Sequence, residues 1–115
     1  MVTVYGLKNC DTCKKALAWL KNEGLAYRFH DVREDGLDRA TLAAWIDEFG
    51  WETLLNTRGT TWRGLAGTDT AGLDAGKAAK LILAHPALMK RPLFDLGRRR
   101  VLGFKEAEKT AIKDG

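Results

Sequence analysis

Val2-Thr3-Val4-Tyr5-Gly6-Leu7-Lys8-Asn9-Cys10-Asp11-Thr12-Cys13 sets the frame for the whole chain. Four β-formers closed by Gly6 predict a short strand. From Cys13 to Leu20, Leu17, Trp19 and Leu20 recur at helical spacing among good helix formers, so a helix follows directly. Asp11 or Thr12 is placed to cap it, and Gly24 stands where a helix stop is expected. Tyr27-Arg28-Phe29-His30-Asp31-Val32 then alternates apolar and polar positions and predicts a second strand. Strand, helix and strand within about 32 residues is the length of a βαβ unit. The C-x-x-C pair sits at the junction of its first strand and helix.

Working outward, Asp38 caps a helix carrying Leu42, Trp45, Ile46 and Phe49 on one face, with Gly50 after it. Trp51 to Leu65 holds the turn-rich Asn56-Thr57-Arg58-Gly59-Thr60-Thr61 and predicts short helical pieces around a loop. Asp74 to His85 is helical and Pro86 ends it. Leu93 to Leu96, a turn at Gly97 to Arg99, and Arg100 to Phe104 form a hairpin, and Lys105 to Lys113 a closing helix. The pattern is βαβ, an all-helical middle, then ββα. No repeat, low-complexity segment or linker interrupts it.

The 115 residues suffice for one domain, which at this size buries roughly two thirds of its extended surface and needs no disulfide or metal to fold. No apolar run approaches the ~20 residues of a membrane span. The first residues lack a basic stretch followed by an apolar one, so a secretory signal is not expected and a cytoplasmic location is. The net charge is +4, and Met1 to Met89 is neutral with eleven residues of each sign. The excess lies in the last 26 residues, with eight positive and four negative. Arg98-Arg99-Arg100 is too short, and too bare of interleaved aromatics, for a phosphate-tracking surface, so a solvated turn is expected and nucleic-acid binding is not. Trp19 and Trp45 fall on apolar helix faces, which makes them core or interface residues rather than a stacking platform.

Cys10 and Cys13 are the only cysteines, too close together to staple distant parts of a fold. Zinc would need two more ligands. His30 and His85, 55 residues apart, do not make the close histidine pair of a zinc finger, so no metal is expected. Cys10, at a strand-to-helix junction, meets free backbone N–H groups and the positive end of the helix dipole, which favour a thiolate. Lys8 and Lys14 add positive charge nearby. Cys13, one turn on, could resolve a mixed disulfide formed at Cys10. Arg58, and Arg91 just before Pro92, are candidates for holding an oxyanion or carboxylate beside that thiolate. Pro92 opens a strand and could be cis.

Tyr5-Gly6-Leu7-Lys8-Asn9-Cys10-Asp11-Thr12, Asn56-Thr57-Arg58-Gly59-Thr60-Thr61 and Lys90-Arg91-Pro92-Leu93, with Gly103-Phe104 beyond, resemble the arsenate reductase (ArsC)/Spx family, and within it the YffB subgroup of small bacterial proteins. The resemblance covers essentially the whole chain. It implies an α/β, thioredoxin-like (glutaredoxin-like) fold with a mixed four-stranded sheet, as a single domain over residues 1–115 with a helical insertion at about 35–88. It implies Cys10 as nucleophile, Cys13 beside it, and Arg58 and Arg91 around an anion. Pro92 would be the cis-proline, with Lys8, Asn9, Thr12 and Pro92 lining the substrate site.

The expected activity is that of a thiol-dependent oxidoreductase with glutathione as co-substrate and no tightly bound cofactor, acting as a monomer. Two alternatives come with the family: a redox-sensing regulator that binds the RNA polymerase α-subunit, as Spx does, and arsenate reduction. Family members that reduce arsenate use a third Arg shortly after the last strand's turn. Gly103 stands at that place here, with Arg98, Arg99 and Arg100 close by in sequence. Many YffB-type proteins carry only the first cysteine, whereas Spx-type regulators carry the C-x-x-C.

Overall fold

The structure is a computed structural model describing Met1–Gly115. The chain divides into two compact units, one built from Met1–Asp35 with Arg91–Gly115 and the other from Gly36–Lys90.

In the first unit, β1 (Val2–Gly6), α1 (Asp11–Asn22), β2 (Tyr27–Asp31), β3 (Leu93–Asp95), β4 (Arg100–Leu102) and a C-terminal helix (Glu106–Asp114) form a sheet with two helices. The strand order is β2-β1-β3-β4. β1 and β2 run parallel, with Gly6 opposite Asp31, while β3 is antiparallel to both β1 and β4. This is the thioredoxin-like arrangement, a βαβ unit joined to ββα through one mixed sheet.

The parallel pair brings the chain out of β1 beside the end of β2, and the turn before α1 is built there. Val4, Ala16, Leu20, Phe94, Val101 and Ile112 form the core of this unit. Trp19 and Phe104 pack edge to face at its margin, their ring centroids 5.7 Å apart.

Gly24, at φ 69°, follows α1 as expected. The start of α1 differs from expectation. Its N-cap is Cys10 itself, in extended conformation and with no side-chain cap, while Asp11 lies in the first turn. A serine-like cap would fill the position that the sulfur occupies. The hairpin places Gly97, at φ 94°, at the first tip position, where a left-handed residue matches the twist of the strands. β4 stops at Leu102, two residues earlier than expected, because Gly103 turns the chain at φ 104°.

The second unit is helical. It comprises α2 (Arg39–Phe49), three single-turn helices α3 (Trp51–Leu54), α4 (Thr60–Arg63) and α5 (Gly67–Thr70), then α6 (Ala75–Ala84) and a 3-10 turn at Pro86–Leu88. The Asp38 carboxylate accepts from the Thr41 amide at 3.1 Å, and Gly50, at φ 85°, ends α2. Asp74 caps α6 through the Lys77 amide at 2.8 Å. Trp45, Leu42, Leu54, Ile82, Leu88 and Met89 are buried in this unit. α5 falls in a polar stretch with no apolar periodicity to announce it.

Phe94 is fully buried on the central antiparallel strand. Truncation to Ala is expected to cost about 3–5 kcal/mol in a denaturant titration, against less than about 1.5 kcal/mol for Ile112→Val in the same cluster.

Candidate functional site

The turn between β1 and α1 carries both cysteines at its end and in the first turn of the helix. Its backbone closes on itself, with the Cys10 amide donating to the Leu7 carbonyl at 3.2 Å. α1 then begins, with the Lys14 amide donating to the Cys10 carbonyl at 3.0 Å. The Cys10 side chain is half-buried, and Cys13, one turn further into the helix, is only 1% exposed. Both are free thiols.

Gly6 makes the room for Cys13. A Cβ at Gly6 would lie 2.5 Å from the Cys13 Sγ and 3.4 Å from Phe29 Cε1, so the sulfur occupies the space that any other residue of β1 would fill. The φ of Gly6 is not left-handed, and space alone makes this glycine matter.

The two sulfurs titrate in opposite directions. Burial works against a charge on Cys10. It is outweighed by hydrogen bonds from the Cys13 backbone amide, the Cys13 thiol and the Arg91 guanidinium, and by the charge of Arg91, so Cys10 sits below its ordinary value. Burial also dominates at Cys13. The Leu7 backbone amide and the Arg91 charge favour its thiolate, but burial and the neighbouring Cys10 push it up to about 12. Of the two sulfurs, Cys10 therefore gives up its proton first, and Cys13 keeps its own.

Arg91 is thus brought to the Cys10 sulfur, and the Arg91–Pro92 peptide is cis. Pro92 is buried and its carbonyl accepts from the Gly103 amide at 2.9 Å. Lys8, Asn9 and Thr12 lie exposed on the same turn and on the first turn of α1. The Lys8 ammonium is paired with Glu34 at 2.5 Å. Arg58 belongs to the second unit. It is exposed on an Asx turn in which its amide donates to Asn56 Oδ1 at 3.1 Å, just before α4. His30 packs its ring against Tyr5 at 4.8 Å between centroids.

Residues 5–112 match the ArsC family. With that match over nearly its whole length, the chain belongs to the ArsC family. An uncharacterized protein of Haemophilus influenzae is 44% identical over 108 residues, 94% of this chain and 95% of that one. The global transcriptional regulator Spx of Streptococcus agalactiae is 30% identical over 110 residues, 94% of this chain and 80% of that one. Among solved structures, the YFFB protein superposes with a TM-score of 0.91 at 46% identity, over 96% of this chain and 97% of that one. An arsenate reductase (ArsC) related protein from Brucella melitensis superposes with a TM-score of 0.78 at 43% identity, over 99% of this chain and 95% of that one. No helix is long and apolar enough to cross a membrane.

Gly6→Ala should lower stability by about 1–3 kcal/mol in denaturant unfolding, because the Cys13 sulfur must move. In a Cys13→Ala background the obstruction is gone and the loss should shrink by at least about 1 kcal/mol. Additive effects would show that the thiol does not rest against Gly6.

The depressed value at Cys10 has a signed consequence for reactivity. The thiolate is the nucleophile, so alkylation by iodoacetamide should reach half its limiting rate at a pH below the ordinary cysteine value. Cys13 should stay unmodified in the folded protein across that range. Peptide mass mapping against pH separates the two sulfurs.

Proposed function

We propose that this ArsC-family chain is a thiol-dependent oxidoreductase that exchanges disulfides with glutathione. One observation carries the reading. Cys10 combines partial exposure, the N-terminus of a twelve-residue helix and hydrogen bonds from Cys13 and Arg91, the surroundings in which a cysteine reacts as a thiolate.

The Cys10 thiolate attacks one sulfur of a disulfide that contains glutathione. The new bond joins Cys10 to the glutathione sulfur, the old S–S bond breaks, and the other half leaves as a thiolate that takes a proton from solvent. A thiolate then attacks and frees the enzyme. From a second glutathione, the attack releases oxidised glutathione and restores Cys10. From Cys13, it releases reduced glutathione and leaves a Cys10–Cys13 disulfide, to be reduced by two further thiols. Burial holds Cys13 protonated, which favours glutathione as the resolving thiol and leaves Cys13 chiefly as a hydrogen-bond donor to Cys10.

Arg91 is assigned to a carboxylate or oxyanion of the substrate, in addition to its support of the thiolate. Lys8, Asn9, Thr12 and Pro92 are assigned to the substrate side of the same turn, and Arg58 is proposed as a second anion ligand on its sequence motif alone. No resident cofactor enters these steps, and the reaction belongs to a cytoplasmic monomer.

A second reading, a redox-sensing regulator, is favoured by the 30% identity to Spx together with the hydrogen-bonded C-x-x-C. Pull-down with the C-terminal domain of the RNA polymerase α-subunit, in reduced and oxidised protein, tests it. Absence of binding in both states removes it. Arsenate reduction is less well supported, because Gly103 stands where the third Arg belongs and holds a φ of 104° that an arginine would adopt only with strain.

Incubation with oxidised glutathione, followed by mass spectrometry of wild type, Cys10→Ser and Cys13→Ser, tests the main reading. An adduct on Cys10 is expected in wild type and in Cys13→Ser, and none in Cys10→Ser. If Cys13 resolves faster than glutathione, the adduct accumulates only in Cys13→Ser. No adduct in any of the three overturns the proposal.

A further inference from the structure

Asp31 is a carboxylate only 3% exposed, at the end of β2 and opposite Gly6 in the parallel register. An ionised group so deeply buried must be satisfied by donors. Its Oδ1 accepts from the backbone amides of Arg33 at 2.8 Å and Glu34 at 2.9 Å, closing the turn that follows β2. Its Oδ2 crosses to the other turn and accepts from the Lys8 amide at 3.0 Å. Burial opposes the charge on Asp31, but the amides of Glu34, Lys8 and Arg33 outweigh it and hold the carboxyl below its usual range. Lys8 and Glu34 also join across the same gap through their side chains. The Asp31 amide is itself taken by Asp35 Oδ2 at 2.9 Å.

The neighbouring peptide makes this more than a local turn. Leu7, one residue before Lys8, donates its amide to the Cys13 sulfur, and its carbonyl receives the Cys10 amide. Consecutive amides of one segment thus hold a carboxylate on one side and a thiol on the other.

We propose that Asp31 is a positioning residue for Cys10, clamping Lys8 so that the Leu7–Cys10 turn presents the thiolate to its donors. The inference rests on the reading of Cys10 as a reactive thiolate. Asp31 works through geometry, since its own negative charge would oppose a thiolate nearby.

That sign separates the proposal from its alternatives. Asp31→Asn keeps an oxygen for Arg33 and Glu34 but turns an amide group toward the Lys8 N–H, where two donors meet. Removing a negative charge would by itself make Cys10 more acidic. Loosening the turn makes it less acidic. In the pH profile of iodoacetamide alkylation, Asp31→Asn is expected to move the Cys10 midpoint upward. The rate at pH 7 should fall roughly three- to tenfold, with the limiting rate at high pH changed less than about twofold. Ile112→Val, a core truncation away from the turn, should leave the midpoint where it is in wild type.

A midpoint unchanged or lowered in a folded Asp31→Asn protein overturns the proposal. A wild-type midpoint at the ordinary cysteine value would instead overturn the thiolate reading itself. Should Asp31→Asn fail to fold, amide hydrogen exchange of wild type decides. Lys8 is surface-exposed, so slow exchange of its amide is expected only if the carboxylate holds it, and exchange at the rate of a free amide overturns the clamp.

Discussion

The Cys13 thiol donates to the Cys10 sulfur, and the surrounding structure keeps those two atoms in that relation. Two thiolates this close, one of them buried, cannot both carry charge at moderate cost. The first proton therefore leaves easily and the second is retained. Three separate parts of the chain fix which sulfur keeps it. Gly6 in β1 provides the space for Cys13, the first turn of α1 supplies the Cys13 backbone amide to Cys10, and Arg91 just before β3 brings a cation. The order β2-β1-β3-β4 makes this convergence unavoidable, because β1 lies between β2 and β3.

Cys10 therefore gains acidity without full exposure. Burial would raise its titration, and a fully exposed cysteine would avoid that penalty but lose the donors. The half-buried position retains both effects, and the donors prevail. Cys13 lies deeper, where burial prevails. Three residues of helix separate the two outcomes, a gradient that follows from α1 running from the turn into the core at Ala16 and Leu20.

Much of this was legible in the residues. Alternation at Tyr27–Val32, the apolar face from Leu42 to Phe49, and the glycine at the hairpin tip all report patterns that side chains impose locally. The placement of Cys10 at a strand-to-helix junction followed from the same patterns. Other features had no local signal. Gly6 reads as a strand terminator, whereas it is the last residue of β1 and matters because of a sulfur seven positions on. Asp31 reads as one more polar position in an alternating strand. Its burial comes from the turn beside it, which only the parallel pairing of β1 and β2 brings within reach. The cap of α1 was misplaced for a related reason. Asp11 and Thr12 are good cap types, but the cap position is taken by Cys10, whose sulfur is held by the backbone amide of Cys13.

The positive excess near the C-terminus has a physical resolution as well. Arg98 donates from Nε and a terminal nitrogen to the Gly115 carbonyl, at 3.2 and 2.9 Å. Arg100 lies 3.8 Å from Asp95, and Lys113 is paired with Glu23 at 2.9 Å. Lys109 reaches Glu106 and lies over the Phe104 ring. These contacts are at the surface, where ion pairs are weak and screened by salt, so they add little stability, but they divide the charge among local partners rather than one continuous field. Arg91 differs in kind. Its guanidinium hydrogen-bonds a half-buried sulfur, where the lower effective dielectric strengthens a single charge. The charge of Arg91 is therefore spent at one sulfur, and its effect there is a lowered titration of Cys10 rather than a contribution to a basic surface.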